Sequence, residues 1–330
     1  MNRFRQLLDA LAIALLCIAS DMVAQEPDFG PIYSEPTTVY FEFGLKIKSG
    51  GNSSGILGTV PVPINWPEQS VSVVAENKSD NLRKITFKNM NKEIRQMLLK
   101  ANRLSAGETA QGSVIIKTEK RNIKKPTDTS KYSFAKKYAS RIKQYLKPSP
   151  YIESNNKHVK QIAASIELDQ SVPAWDQVET IYRWVRENIE YKFDTKIHSC
   201  MHALETGLGD CEELSSVFIA ICRCKGIPAR AVWIPSHTYP EFYLVDETGT
   251  GHWFPCQAAG TYQFGEMTES KPILQKGDRF KLPGNKEALR YVQPTLVAKD
   301  AAGGLSIEYI SREITDPGEI EQLISKSKPR

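Results

Sequence analysis

The sequence predicts an α+β protein, in which an all-β region precedes a region of helices and antiparallel strands. A change of hydrophobic period carries this prediction. Apolar residues alternate singly from Val39 to Ile47, whereas they recur every three or four residues from Val178 to Ile189. The first pattern is typical of a half-buried strand, and the second is typical of an amphipathic helix. The chain has 330 residues, which is enough for two packed cores.

The all-β region is predicted to form a β-sandwich-like domain over about residues 36–122. Turn-rich segments such as 49–55 and 105–107 separate its strand-like runs, and short strands at such spacing favour two packed sheets. The region contains no histidine and no cysteine. It therefore offers no catalytic pairing, and any site of that kind is expected further along the chain.

The carboxy-terminal region, residues 151–330, is predicted to place helices before strands. One helix is expected over about Ala174 to Glu190. A second is expected to begin at Cys211 and to end before Gly226, since glycine is the common residue just after a helix. Strand-like runs follow at 229–234, 241–245 and 253–256. Helices followed by antiparallel strands are the usual order of an α+β domain.

Basic residues concentrate between Lys117 and Lys147 and predict a basic linker or helical segment over residues 123–150. The formal net charge of the whole chain is only +5, and no known nucleic-acid motif accompanies the basic segment. We therefore interpret the segment as solvated and expect no nucleic-acid partner.

Residues 1–24 predict a signal peptide. Arg3 and Arg5 precede an apolar run over residues 11–19, as in the basic and apolar parts of an export signal. The run is shorter than the ~20 residues that a membrane span needs. We therefore expect a secreted protein, periplasmic or extracellular, with no stable membrane span.

The cysteines that follow the signal peptide are odd in number: Cys200, Cys211, Cys222, Cys224 and Cys256. An odd number in an exported protein leaves at least one thiol unpaired, and such a thiol is a candidate reactive residue. A disulfide between Cys200 and Cys256 is compatible with this composition, but the sequence does not fix the connectivity.

Cys211 is the favoured nucleophile because Gly209-Asp210-Cys211 puts its thiol at the start of a predicted helix. Free backbone N–H groups and the helix dipole stabilise a thiolate there, and the same N–H groups can hold an oxyanion. We therefore predict a pKa below the ordinary cysteine value.

His237 is the favoured base for this thiol. It lies between two predicted strands, where it can face the start of the Cys211 helix. An isolated loop histidine is more often structural, but a thiol one helix and one strand upstream makes a catalytic pair credible. Such a pair needs a third group that fixes the tautomer and orientation of the imidazole.

A metal-binding module is a different interpretation of this region. His198, Cys200 and His202 alternate just ahead of Cys211, and imidazole and thiolate suit zinc or copper. Alternation on a short extended segment more often reflects ordinary packing. We therefore predict neither a metal nor another cofactor.

Several motifs in a fixed order resemble the transglutaminase-like superfamily, whose members share a papain-like core for cysteine acyl transfer. The resemblance covers about residues 175–260. Its motifs are W-V-R-E-N-I-E-Y at 184–191, G-D-C-E-E-L-S at 209–215, C-R-C-K-G-I-P-A-R at 222–230, H-T-Y-P-E-F-Y at 237–243 and G-H-W-F-P at 251–255. It implies a cysteine-bearing helix packed on an antiparallel sheet, with Cys211 as nucleophile and His237 as base.

The third catalytic group departs from this resemblance. An aspartate closes the triad in the superfamily, whereas this chain has Gln257 after the corresponding strand. The glutamine carbonyl can accept the Nδ1–H of His237, although it brings no charge. Asp246 is the less favoured candidate because it precedes Gly249 and Gly251 and fits a turn.

The resemblance implies thiol-dependent acyl transfer on peptide amide or isopeptide bonds of a peptide or protein substrate. Hydrolysis by a cysteine peptidase or amidase is favoured over crosslinking by a transglutaminase-like acyltransferase. The alternative is a non-catalytic binding or scaffold protein that retains the core, and the neutral Gln257 is its main support. The sequence predicts no oligomeric state.

Overall fold

The computed structural model describes residues 29–90, 93–282 and 286–327. The predicted signal peptide, residues 1–24, lies outside the described residues, so export stays a prediction. Within those ranges, no helix combines the length and the apolar character that crossing a membrane requires.

The described residues form an α+β fold with antiparallel sheets, as predicted. Its helices are α1 (Ser140–Lys143), α2 (Lys157–Ser165), α3 (Ala174–Asn188), α4 (Cys200–Thr206), α5 (Cys211–Cys224) and α6 (Pro317–Lys326). Its strands are β1 (Ile32–Tyr33), β2 (Thr37–Ser49), β3 (Ser53–Val62), β4 (Gln69–Lys78), β5 (Leu82–Asn89), β6 (Arg95–Leu104), β7 (Thr109–Lys120), β8 (Ile123–Lys124), β9 (Glu190–Tyr191), β10 (Leu208–Gly209), β11 (Ala229–Ile234), β12 (His237–Val245), β13 (Gly251–Pro255), β14 (Gln275–Lys276), β15 (Thr295–Val297), β16 (Asp300–Ala301) and β17 (Leu305–Ile314).

The amino-terminal region is a sandwich of two antiparallel sheets. One sheet has the strand order β15-β3-β6-β5, with β16 also paired to β3, and the other has the order β17-β2-β7-β4. Phe43 and Leu45 of β2, Val60 of β3, and Met97 and Leu99 of β6 are fully buried in one shared core. The apolar faces of the two sheets pack against each other and exclude water, as is usual in a β-sandwich.

The carboxy-terminal strands belong to the sandwich, and this corrects the predicted boundaries. β15 pairs with β3, and β17 pairs with β2 along its whole length, from Leu305 opposite Ser49 to Ile314 opposite Tyr40. The predicted domain of residues 151–330 is therefore too long at its carboxy-terminal end. Helices α1–α5 and strands β11–β14, here called the inserted core, therefore lie between β7 and β15 of the sandwich in chain order.

The basic segment 123–150 is packed against the core, which differs from the predicted solvated linker. Tyr132, Ile142 and Tyr145 are buried, and the Tyr132 ring lies edge-on to Phe254 of β13 with ring centroids 5.0 Å apart. Most of its lysines remain exposed. The aromatic residues therefore attach the segment, while its cations stay in water.

Helix α5 is the centre of the inserted core. Its residues from Glu213 to Arg223 are all buried, and it packs against α2, α3, α4 and the sheet of order β13-β12-β11-β14. Gly226 follows the helix with a φ of +79°, as predicted for a terminal glycine. Helix α3 begins at Ala174 and helix α5 begins at Cys211, as the sequence predicts.

A buried ion network joins the core to the sandwich side of the molecule. Lys276 of β14 donates to Glu68 Oε1 at 2.5 Å and to Glu241 Oε1 of β12 at 2.6 Å. Arg230 of β11 donates to the other oxygen of Glu241 at 2.8 Å. Because each buried charge has a partner, the network ties β12 to its neighbours without an uncompensated ion.

Candidate active site

Cys211 is the first residue of α5, and a reciprocal capping box fixes its position. The Asp210 side chain accepts from the Glu212 N–H at 2.8 Å, and Glu213 Oε2 accepts from the Asp210 N–H at 2.9 Å. This arrangement satisfies N–H groups that the first turn leaves unpaired. It also puts two carboxylates beside the Cys211 thiol.

His237 opens β12 directly after a two-residue turn. Pro235 and Ser236 connect β11 to β12, Ser236 has a φ of +58°, and His237 is paired with Ile234. The tight turn therefore fixes the position of the His237 backbone, from which the imidazole projects.

Ser215 links the Cys211 turn to the start of β12. Its hydroxyl lies 2.6 Å from the Cys211 carbonyl oxygen and 3.4 Å from that of Thr238, and it donates to them. Cys211 and His237 line the same cavity of about 610 Å³. The structure thus brings the two predicted catalytic residues to one site.

Gln257 contacts the imidazole of His237 through its side-chain amide. Its Oε1 is 2.9 Å from His237 Nε2. Because an amide oxygen only accepts, this contact assigns the proton to Nε2 and leaves Nδ1 as the basic nitrogen of a neutral ring. The glutamine contact was predicted at Nδ1, and the structure corrects this to Nε2.

Asp246 is committed to its own turn instead. Its Oδ1 accepts from the backbone N–H groups of Thr248 and Thr250, and its Oδ2 lies 2.7 Å from His252 Nε2. These contacts stabilise the turn between β12 and β13. Among the two candidates, only Gln257 forms a hydrogen bond with His237.

The ionisation of the pair differs from the prediction. Burial raises the pKa of Cys211 to about 11, and the carboxylates of Asp210 and Glu213 act in the same direction. A hydrogen bond from the Thr238 backbone N–H lowers this pKa, but it does not offset burial. The predicted depression of the pKa is therefore wrong, because sequence reasoning counted the helix dipole and not the burial and the capping carboxylates.

The imidazole shifts in the complementary direction. Burial lowers the pKa of His237, and the hydrogen bond to Gln257 opposes that effect. At neutral pH the resting cavity consequently holds a thiol and a neutral imidazole that can accept a proton.

Alkylation of Cys211 by iodoacetamide is expected to accelerate about tenfold for each pH unit between 7 and 9, because the thiolate fraction grows tenfold per unit below the pKa. Mass spectrometry of the modified peptides measures this rate for each thiol separately. A rate for Cys211 that stayed constant from pH 5 to pH 8 would instead indicate a preformed thiolate–imidazolium pair.

The less favoured metal-ligand candidates His198, Cys200 and His202 do not converge on one point. Residues Cys200–Thr206 form a helix rather than an extended segment, so the expected alternation is absent. The Cys200 thiol donates to Glu153 Oε2 at 2.9 Å, whereas the rings of His198 and His202 stack with centroids 4.2 Å apart. Within the described ranges, no group of three or more His, Cys, Asp or Glu side chains is placed to hold a metal ion.

The cysteines in the described part of the chain are free thiols. The disulfide between Cys200 and Cys256 that the composition allows is therefore not formed.

Sequence reasoning missed two residues of α3 that reach the site. The Tyr182 hydroxyl and Arg186 Nη1 each donate to the Gln257 carbonyl oxygen at 2.9 Å. They lie four residues apart and therefore on one face of the helix. A tyrosine and an arginine next to the apolar stripe of a core-facing helix are the signal that could have identified them.

Comparisons with known proteins show what this chain is similar to. Residues 160–258 match the transglutaminase-like superfamily. The structure of a proposed cysteine protease from Cytophaga hutchinsonii superposes with a TM-score of 0.60 at 14% identity, over 87% of this chain and 93% of that chain. An uncharacterised protein of Haemophilus influenzae is 28% identical over 192 residues, or 53% of this chain and 48% of that protein. This chain thus spans about half the length of that relative.

The molecule therefore carries a transglutaminase-like core, and both the predicted resemblance and the predicted fold class are confirmed. The superfamily match ends at residue 258 and so includes Cys211, His237 and Gln257.

Proposed function

We propose that this protein catalyses thiol-dependent acyl transfer on peptide amide or isopeptide bonds, with Cys211 as nucleophile, His237 as base and Gln257 as the group that orients the base. The observation that carries the proposal is the 2.9 Å contact between His237 Nε2 and Gln257 Oε1, at a cavity that Cys211 also lines. It leaves the basic nitrogen of His237 free for the thiol proton.

The first half-reaction forms a thioester. His237 Nδ1 takes the proton of Cys211 as Sγ attacks the substrate carbonyl carbon, and the carbonyl oxygen becomes an oxyanion. The backbone N–H of Cys211 at the start of α5 is the donor that we assign to this oxyanion. When the intermediate collapses, the C–N bond breaks and the imidazolium returns its proton to the leaving amine.

The second half-reaction resolves the thioester. Water attacks the thioester carbonyl while His237 accepts its proton, the C–S bond breaks, and the products are a carboxylic acid and the free thiol. An amine in place of water gives a new amide with the same residues. The fold similarity to a proposed cysteine protease supports water as the acceptor.

The choice of acceptor is testable with a peptide library and a tagged primary amine. Hydrolysis is expected to dominate, so that products carry one ¹⁸O atom when the reaction runs in H₂¹⁸O and little tagged amine is incorporated. Mass spectrometry of the products measures both outcomes. Predominant incorporation of the amine would identify a crosslinking enzyme instead.

A non-catalytic binding protein is the second candidate, because the Cys211 pKa of about 11 and the neutral Gln257 are both unfavourable to a stable thiolate. Peptides that bind without any turnover, together with no acyl-enzyme under acid quench, would favour that candidate.

A further inference from the structure

We propose that Arg186 is a positioning residue of this site, which holds the turn from Gln257 to Gly260 so that the Gln257 amide faces His237. The inference rests on the proposed function, since it concerns the orientation of the proposed base. It adds a requirement that the catalytic residues alone do not contain.

The contacts of Arg186 are directed at the backbone of one turn. Nη1 donates to the carbonyl oxygens of Gln257 at 2.9 Å and Ala258 at 3.3 Å, and Nη2 donates to that of Gly260 at 2.7 Å. Across the described residues, no carboxylate forms an ion pair with Arg186. Its positive charge therefore interacts with backbone carbonyl dipoles, and such charge-assisted hydrogen bonds are strong.

The turn depends on these contacts because it contains no regular secondary structure. Residues 257–262 belong to no helix or strand, and Gly260 has a φ of +88°. The Gln257 N–H donates to the Gln263 carbonyl at 2.8 Å, and the Gln263 N–H donates to the Tyr182 hydroxyl at 3.1 Å. α3 thus reaches the turn through Tyr182 as well as through Arg186.

The guanidinium itself is held in place by aromatic rings. Its carbon lies 5.5 Å from the ring centroid of Tyr182 and 5.7 Å from that of Tyr262. A planar fork between rings can reach separate carbonyl groups at once, whereas the single ammonium of lysine cannot reproduce that geometry.

The consequence falls on His237. The Gln257 hydrogen bond raises the His237 pKa against the effect of burial. If Arg186 is removed, the turn is expected to loosen and the amide to leave the imidazole. The His237 pKa should then fall further, in the same direction as in Gln257→Ala.

The test titrates His237 by NMR in a Cys211→Ala background, so that it needs no turnover. Arg186→Ala is expected to lower the His237 pKa as Gln257→Ala does, and the double variant Arg186→Ala/Gln257→Ala is expected to show no further shift. The matched control is Glu187→Ala, which removes an exposed charged side chain next to Arg186 in the same helix. This control should leave the His237 pKa unchanged.

A conservative variant keeps the test decisive if Arg186→Ala fails to fold. Arg186→Lys retains the charge and should give a smaller shift of the same sign. A wild-type His237 pKa in a folded Arg186→Lys or Arg186→Ala protein would overturn the inference, as would additive shifts in the double variant. Because the titration is independent of catalysis, its result separates this inference from the proposed function.

In active protein, Arg186→Ala should reduce kcat by roughly 10- to 100-fold, the scale of effect that a misplaced catalytic group produces. Glu187→Ala should leave kcat near the wild-type value. An Arg186→Ala protein that lost only substrate affinity, with its kcat and its His237 pKa intact, would also contradict the positioning role.

Discussion

Replacing Cys211 with alanine is expected to abolish the acyl-enzyme and to lower turnover by about 10³-fold or more, because no covalent intermediate can form without the sulfur. The change is small in volume and lies at a helix terminus outside the buried stretch of α5, so the fold should remain intact. Acid-quenched mass spectrometry measures the intermediate, and a thermal melt measures the stability.

Cys224 provides a matched control at the opposite end of the same helix. Its half-buried thiol donates to the Ser154 carbonyl oxygen at 3.1 Å and lies outside the cavity lined by Cys211. Cys224→Ala should keep both the acyl-enzyme and the turnover. Full activity in Cys211→Ala, or loss of the acyl-enzyme in Cys224→Ala alone, would contradict the assignment of the nucleophile.

Replacing Gln257 with alanine is expected to lower kcat by roughly 10- to 100-fold and to leave residual activity. The imidazole then loses the group that fixes its tautomer, while Cys211 and the helix start remain. Asp246→Asn should retain most of the activity because Asp246 contacts the β12–β13 turn and His252. Steady-state kinetics of the two variants, with melting temperatures, compare these effects.

Gln257→Glu extends the same test to pH. A carboxylate beside Nε2 raises the His237 pKa, so the imidazolium persists to higher pH and the base form is lost below that pKa. The acidic limb of the kcat/KM profile should therefore move to higher pH. If Asp246→Asn proved as damaging as Cys211→Ala while Gln257→Ala behaved like the wild type, Asp246 would replace Gln257 as the third group.

The parts of the site that local patterns encode were predictable. The start of α5 at Cys211 was predicted from the apolar stripe and the terminal glycine of the helix, whereas the choice of Gln257 over Asp246 as the partner of His237 came from the resemblance to the transglutaminase-like superfamily. The elements concerned lie within about fifty residues of one another, and short loops keep them adjacent.

The other features depend on contacts between distant parts of the chain. The pKa of Cys211 reflects burial by the folded core, which no local pattern reports. Arg186 acts across 71 residues on Gln257, and β17 finds its partner in β2 near the other end of the sequence. Such pairings are set by tertiary packing, so periodicity and motif spacing could not reveal them.

The insertion of the core between strands of the sandwich also fixes an order of events during synthesis. β2 leaves the ribosome early, but its partner β17 is made only after the whole core. Until then one edge of β2 has unpaired backbone groups, and an open edge of that kind is a template for pairing with other chains. The inserted core is thus translated completely before β17 can close this edge of the sandwich.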